Sequence, residues 1–369
     1  MVEATTNQAT ANQATTNRGW RLRRNPAGPL AAGDLELITD PIAPLRDGQA
    51  LVRTLVLSVE AASRIWLGHQ RAFMPSVPVG EMVRGIGVGE VIASRRADLR
   101  VGDVVAGFLG WQEFCVADDR LLEAPLTKLP SPLPAPASAF VGVLGHIGIS
   151  AYLGVDYLDP GPGQTIVISA AAGGVGSIAG QLAKLRGARV VGIAGGPAKC
   201  RYVVDGLGFD ACVDHRDPAW RDLLDAVTPD GVDLDFENVG GPTMDHLLMR
   251  LNLNAKIFLC GMVSEYDNSG EGTAWRGLVN IDQIHMQRAT MRGFIVTDHL
   301  DRWPEALDAL AEQWTAGRLK YRESVVTGLE HAPAALARLL AGDTVGKLVV
   351  AVAEPRLCRG VQLVTTASH

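Results

Sequence analysis

From about residue 18 to 145, apolar and polar positions alternate in short runs, Ala50–Ser58, Gly85–Ser94 and Gly102–Phe108, punctuated by Gly, Pro and Asp. Period-two runs with turn residues at this spacing predict a small, partly open β-barrel, because successive side chains of a strand face opposite ways. After Val155 the pattern changes. Apolar runs near 165–169, 189–194, 211–213, 233–237, 256–260 and 290–296 alternate with helical stretches such as Pro197–Leu207 and Pro242–Leu251. Six strands with crossover helices predict an α/β fold, a doubly wound parallel sheet. A helix around Trp303–Thr315 and a last apolar strand, Gly346–Val352, have no obvious place in that sheet, so the chain is expected to return to its first domain. The division is therefore 18–145 with 300–353, an inserted domain at 146–299, and a C-terminal tail at 354–369. Residues 1–17, near-repeats of Ala, Thr, Asn and Gln, carry too little apolar bulk to fold and are read as a disordered tail.

The most informative stretch is Thr165–Leu185, where a β-branched run passes into small residues and then into the helical spacing Ile178, Leu182, Leu185. Gly173 and Gly176 take the second and third positions of G-x-G-x-x-G, with Ala171 at the first. The backbone of Gly173, Gly174, Val175 and Gly176 is thereby suited to approach a pyrophosphate, with the N–H groups of the first helical turn facing it. A second strand follows, and an acidic residue near its end would bind the ribose 2′-hydroxyl of NAD. Here that place holds Gly195-Gly196-Pro197-Ala198-Lys199, and no Asp or Glu occurs between Asp159 and Asp205. Lys199 and Arg201 just past the strand favour a 2′-phosphate instead, hence NADPH over NADH.

A length of 369 residues with 47% hydrophobic content suffices for two domains with a sizeable core. A net charge of −6 without an extended basic stripe argues against nucleic acid or an anionic membrane as partner. The five cysteines are scattered, with no C-x-x-C pair, so neither a disulfide framework nor a zinc knot is implied. A reducing cytoplasm fits. The most membrane-like run, Ala139–Val155, is studded with Gly and contains His146, and residues 1–17 lack the apolar core of a secretory signal.

Six segments, Trp111-Gln-Glu-Phe, Ala170-Ala-Ala-Gly-Gly-Val-Gly, Ala194-Gly-Gly-Pro-Ala-Lys-Cys, Phe236-Glu-Asn-Val-Gly-Gly, Cys260-Gly-Met-Val-Ser-Glu-Tyr and Met291-Arg-Gly-Phe-Ile-Val, carry a resemblance. They resemble the zinc-independent medium-chain dehydrogenase/reductase superfamily, and within it the branch of prostaglandin reductases, plant double-bond reductases and bacterial curcumin reductases. The match runs from about residue 17 to 353. It implies a GroES-like barrel built from both chain ends, an inserted Rossmann domain, an active site in the cleft, and hydride transfer from NADPH to an activated carbon–carbon double bond.

By the same resemblance, Gly173–Gly176 hold the pyrophosphate and Lys199 the 2′-phosphate, and Asn238 is a further cofactor position. The loop from Cys260 and Gly261 to Tyr266, with Phe294, Ile295 and Val296, lines the nicotinamide. Ser150 stands where the branch has a threonine, His215 where it often has a tyrosine beside the phosphate, and Thr344 where an asparagine usually reaches the cofactor. Val59-Glu-Ala-Ala-Ser-Arg64 replaces an Asp-Pro-Tyr-Met-Arg segment, and with Ala62 at the tyrosine position no proton donor carries over from it. Tyr266 is the candidate to orient the substrate carbonyl or relay a proton, a core tyrosine packed on the nicotinamide being the alternative; Tyr152 reads as packing at the domain junction. The segments around Glu60 and Gly80–Gly85 lack the cysteine and histidine of zinc-dependent cousins, so no metal is expected. His146 and His69 stand alone and read as pocket or surface residues rather than ligands. A homodimer is expected from the resemblance and from the apolar strand Gly293–Thr297 at the sheet edge. A quinone oxidoreductase and a non-catalytic NADPH-binding redox sensor share these features and remain alternatives.

Overall fold

The computed structural model describes residues 15–68, 72–118, 126–267, 277–356 and 362–364. The first part of the chain carries β1 (Thr16–Leu22), β2 (Leu35–Pro41), β3 (Ala50–Ser58), α1 (Ala62–Trp66), β4 (Ile86–Ser94), β5 (Val104–Phe108), β6 (Phe114–Ala117) and β7 (Thr127–Lys128). The middle alternates α2 (His146–Leu158), β8 (Thr165–Ile168), α3 (Gly174–Leu185), β9 (Arg189–Ala194), α4 (Pro197–Arg201), β10 (Ala211–Asp214), α5 (Trp220–Val227), β11 (Val232–Glu237), α6 (Gly241–Leu248), β12 (Leu251–Leu259), α7 (Asp282–Met286) and β13 (Thr290–Gly293). The chain ends with α8 (Trp303–Thr315), β14 (Glu323–Thr327), α9 (Ala332–Leu340) and β15 (Lys347–Ala351).

Strands β8 to β13 form one parallel sheet in the order β10-β9-β8-β11-β12-β13. That order reverses between β8 and β11, and a doubly wound sheet binds its ligand in the crevice at such a switch point, beyond the carboxyl ends of the strands. The other large sheet runs β14-β15-β3-β4-β5-β7, with β6 also paired to β3. Its closing strand β15 lies antiparallel to β3, Val350 opposite Leu57, so residues some 290 positions apart in sequence share one ladder. The barrel is thus completed by the far end of the chain, and the inserted domain hangs from it by two crossings.

Helix α3 shows why its two layers can approach. Its buried stripe is Ile178, Ala179, Leu182 and Ala183, packed on the sheet. Gly180 lies under the Phe209 ring, where a Cβ would come within 1.8 Å of Cζ. Leu185, expected on that stripe, is 48% exposed, because the helix has turned it off the core by its last residue.

Several boundaries differ from the sequence expectation. Helix α8 buries Ala306 and Leu310 in the core shared with α2 and the parallel sheet, so it belongs to that layer; the return to the barrel begins at β14. Strand β13 ends at Gly293, and residues 294–297 leave the sheet as Phe294 turns into the core. Thr16 and Asn17, assigned to the tail, pair in β1, and Asn17 is fixed by Gln112 (2.8 Å) and by the Phe114 N–H (2.9 Å). Residues 1–14 lie outside the described residues. In the C-terminal tail, Gln362 and Leu363 accept the N–H groups of Ala137 and Ser138 at 2.8 Å, which lays Leu363 and Val364 on the barrel core. Among the described residues no helix is long and apolar enough to cross a membrane.

Candidate active site

The glycine turn sits at the carboxyl end of β8, beside the switch point. Ala170 adopts φ of 49°, a left-handed conformation that costs an L-residue about 1–2 kcal/mol, and its carbonyl accepts the Gly173 N–H at 2.8 Å. A Cβ on Gly176 would stand 2.5 Å from that same carbonyl, so only glycine lets α3 start this close to the strand. The segment returning to the barrel lies directly on the turn. Gly346 donates to Ala172 at 2.7 Å, and Thr344, two residues earlier, is nearly buried there. Ile147 and Lys347 flank Gly174, at 3.3 and 3.4 Å from where its Cβ would be.

At the end of β9 three basic side chains converge. Lys199 Nζ donates to the Gly342 carbonyl at 2.5 Å, and Arg216 Nη2 reaches the Ala341 carbonyl (3.2 Å) and Asp343 (3.4 Å). His215 Nε2 and Arg216 Nε lie 2.9 and 3.0 Å from the position of a Gly195 Cβ. Burial, and then the neighbouring Arg216 charge, hold both Lys199 and His215 below their ordinary ranges. Crowded cations of this kind, with the Asp343 carboxylate 3.4 Å from Arg216, suit a further anion. The nearest acid is already committed: Asp214 accepts the Gly196 and Arg216 N–H groups at 2.7 and 2.9 Å, which binds the two loops together. The corner fits the 2′-phosphate of NADPH. Arg216 was not foreseen; its signal in the sequence is only a basic residue after the third strand. Arg201, on α4, is exposed.

The other end of the cleft is built on Glu237, whose side chain is wholly buried and accepts the Ser169 hydroxyl (2.6 Å) and the Gly240 N–H (2.9 Å). Asn238 donates to the Ser169 carbonyl at 2.8 Å, and its own carbonyl takes the Val263 N–H at 3.1 Å. The turn after β11 and the loop from Cys260 are therefore one stapled unit. In that loop Gly261 keeps close to the Tyr266 hydroxyl, which accepts the Met262 N–H at 3.1 Å. Burial pushes the Tyr266 hydroxyl above its ordinary range and the Cys260 thiol up to about 12. Phe294 is buried against Phe258 and stacks on His299, while Ile295 and Val296 are half-buried and the Val296 carbonyl accepts the Trp303 indole N–H at 3.1 Å. Arg64, fully buried in the barrel, donates to Asp267 at 2.8 Å and to the Gly28 carbonyl at 2.6 Å, and so ties the Tyr266 loop to the other domain.

On α2, the Ser150 hydroxyl donates to the His146 carbonyl one turn back at 2.7 Å, leaving it an acceptor toward the cleft. Tyr152 donates to Glu305 at 2.8 Å and joins α2 to α8, two helices of one layer rather than a junction between domains. His146 Nε2 lies 2.5 Å from Glu60 Oε1, and Ser58 donates to that same oxygen at 2.7 Å. Lys347 Nζ donates to the Val59 carbonyl at 2.9 Å. His69 lies outside the described residues. Among the described residues no group of three His, Cys, Asp or Glu side chains is placed to hold a metal ion.

A doubly wound sheet with a glycine turn at its switch point, a cationic corner at the end of its second strand, and a barrel closing over both defines a two-domain, dinucleotide-dependent oxidoreductase. Residues 18–124 match the family described as the N-terminal domain of oxidoreductase, and residues 174–312 the one described as zinc-binding dehydrogenase. The chain belongs to the medium-chain dehydrogenase/reductase superfamily, in the branch of the NADP-dependent prostaglandin, alkenal and curcumin reductases. It is 36% identical over 341 residues to the NADPH-dependent curcumin reductase of Escherichia coli (strain K12), covering 91% of this chain and 97% of that one. It is 34% identical over 314 residues to the NADP-dependent 2-alkenal reductase of Nicotiana tabacum, covering 84% and 89%. The solved structure of CurA from Vibrio vulnificus in complex with NADPH superposes with a TM-score of 0.86 at 34% identity, over 92% of this chain and all of that one.

Proposed function

We propose that the protein reduces the carbon–carbon double bond of α,β-unsaturated ketones or aldehydes at the expense of NADPH. The observation that carries this reading is the corner of Lys199, His215 and Arg216 beside the glycine turn, which suits a 2′-phosphorylated dinucleotide; its nicotinamide end is assigned to Ser150 and the Cys260–Tyr266 loop by the family resemblance. Curcumin and 2-alkenals, named for the relatives, both carry a double bond conjugated to a carbonyl, which supports the substrate class. NADPH, when bound, supplies the hydride for the β-carbon. The chain's part is to hold and polarise. Gly173, Gly174, Val175 and Gly176 receive the pyrophosphate on backbone N–H groups, Thr344 and Asn238 border it, and Phe294, Ile295 and Val296 with Cys260 and Gly261 wall the nicotinamide. The Tyr266 hydroxyl orients the substrate carbonyl, whose developing charge needs a donor already in place.

Steady-state NADPH oxidation with a panel of enones, enals and quinones tests this. Enone- or enal-selective turnover is expected; quinone-selective turnover, or stoichiometric NADPH binding with none, refutes it. We further place the protein in the cytoplasm as a homodimer, on the family resemblance alone, since the apolar edge strand expected at Gly293–Thr297 leaves the sheet after Gly293; a monomer by light scattering at micromolar concentration counts against that assembly.

A further inference from the structure

The described cleft holds one ionisable cluster that the function above leaves unused. We propose that His146, braced by Glu60, is the acid that returns a proton to the α-carbon of the substrate. This rests on the double-bond reading and goes beyond it.

The placement comes first. His146 opens α2, one turn before Ser150 on the same face, and the next residue, Ile147, abuts the glycine turn. Glu60 arrives from the barrel, just past the end of β3, and its Oε1 meets His146 Nε2 at 2.5 Å across the line where the two domains meet. Nε2 stands against Glu60 at contact distance without the alignment of a hydrogen bond, and in this assignment Nδ1 serves the substrate. The side chains keep only 9% and 12% exposure, so the pair is largely withdrawn from solvent.

The charges are arranged to suit a cation on the ring. A helix N-terminus disfavours positive charge, so a histidine there needs a carboxylate beside it to donate a proton as imidazolium. Glu60 supplies one. Burial alone would raise its carboxyl, yet His146, then Lys347, and the Ser58 hydroxyl hold it down at about 2. The groups facing this pair are Lys347 from β15, whose stem runs along Gly174, and behind it Glu323 from β14. Burial lowers Lys347 to about 8, and its ammonium is spent on the Val59 carbonyl. The other protic groups of the cleft are poor sources: Tyr266 and Cys260 are both pushed upward by burial. An imidazolium is a general acid of the kind this step needs, and the neutral ring is reloaded from water between turnovers.

The step balances. Hydride, with its two electrons, adds to the β-carbon while the double bond opens and the charge moves to the carbonyl oxygen as an enolate. The imidazolium N–H bond then breaks, the C–H bond forms at the α-carbon as the enolate collapses to the ketone, and neutral imidazole takes its next proton from water. Glu60 is a positioning residue, since it acts through the ring.

His146→Gln and Glu60→Gln test this against the wild type, with NADPH affinity read by fluorescence titration as a measure independent of turnover. In His146→Gln, kcat is expected to fall about 10²- to 10⁴-fold while NADPH affinity stays within about twofold, and the high-pH limb of the kcat profile disappears. In Glu60→Gln that limb moves to lower pH, because the ring has lost its carboxylate. A purely structural role would lower activity without moving the limb, and because Glu60 also raises Lys347, the limb must persist in Lys347→Met if the ring carries it. If His146→Gln does not bind NADPH, it has not folded and Glu60→Gln decides. Enone turnover by the wild type with an unmoved limb in Glu60→Gln, or with kcat of a folded His146→Gln within about threefold, overturns this assignment alone. No enone turnover by the wild type overturns the double-bond reading and this assignment with it.

Discussion

Removing Lys199 separates the 2′-phosphate from the rest of the cofactor. A hydrogen bond to a charged group contributes about 1.5–3 kcal/mol, so Lys199→Ala is expected to weaken NADPH about ten- to a hundredfold. NADH, which lacks the phosphate, should barely respond. Arg216→Ala should behave in the same way, since its guanidinium stands in the same corner beside Gly195. The structure adds a coupling between the two. Each cation raises the cost of the other's charge; Lys199 is held low first by burial and then by Arg216. Removing one relieves the survivor, which then holds the phosphate better, so each single variant understates its cation and the double variant should lose more than the sum, by about 0.5–3 kcal/mol. Fluorescence titration of NADPH and NADH against the four proteins measures all of this. The sign of the pH effect is also fixed: with its proton held less tightly than an ordinary lysine, Lys199 goes neutral earlier as pH rises, and the NADPH preference should decline from the alkaline side. Thermal stability should change little, because what is lost is one bond to the Gly342 carbonyl at a half-buried site. An NADPH to NADH ratio unchanged in Lys199→Ala, Arg216→Ala and the double variant would refute the assignment of this corner. A wild type preferring NADH would refute the reasoning at its root.

Gly180→Ala should lower Tm by several degrees: alanine favours a helix over glycine by about 1 kcal/mol, but its Cβ would lie 1.8 Å from Phe209 Cζ, an overpacking worth about 1–3 kcal/mol or more. An unchanged or raised Tm means the ring yields freely. Asp235, wholly buried on β11 with no donor to either oxygen among the described residues, has its carboxyl raised well above the ordinary range by burial and then by Glu237. A raised folded-state value means that the stability it allows is fully present below the unfolded range and is lost as pH rises through the folded value. Asp235→Asn should therefore flatten the loss of stability between acid and neutral pH in chemical denaturation; a slope identical to wild type would show that Asp235 does not titrate in this way.

How much of this could be read beforehand depended on how far apart the cooperating residues lie. The glycine turn was legible because strand, turn and helix are contiguous, and their conformational demands fall on residues next to one another. Even there the motif put Ala171 at the first glycine position and said nothing of strain, and the left-handed residue is its neighbour Ala170, while Ala171 is packed in the core. Lys199 was legible from the missing acid at the end of β9. Its partner Arg216 was not, because it comes from the end of β10 and only parallel pairing in register sets the two strand ends side by side.

The same limit governs the cleft. Trp303–Thr315 was placed with the barrel because its apolar spacing says that it buries a face, not against what; the structure gives that face to α2. Glu60 and His146 each looked ordinary, the one as a departure from a motif and the other as a lone histidine in a glycine-rich run. What makes them a pair is that β15 closes the barrel on β3 and at the same time brings Gly346 onto the glycine turn, which fixes the end of β3 against the start of α2. A single strand from the far end of the chain therefore sets the distance between a carboxylate of one domain and an imidazole of the other. A chemistry that depends on that distance is written in topology, and the local sequence around either residue carries no trace of it.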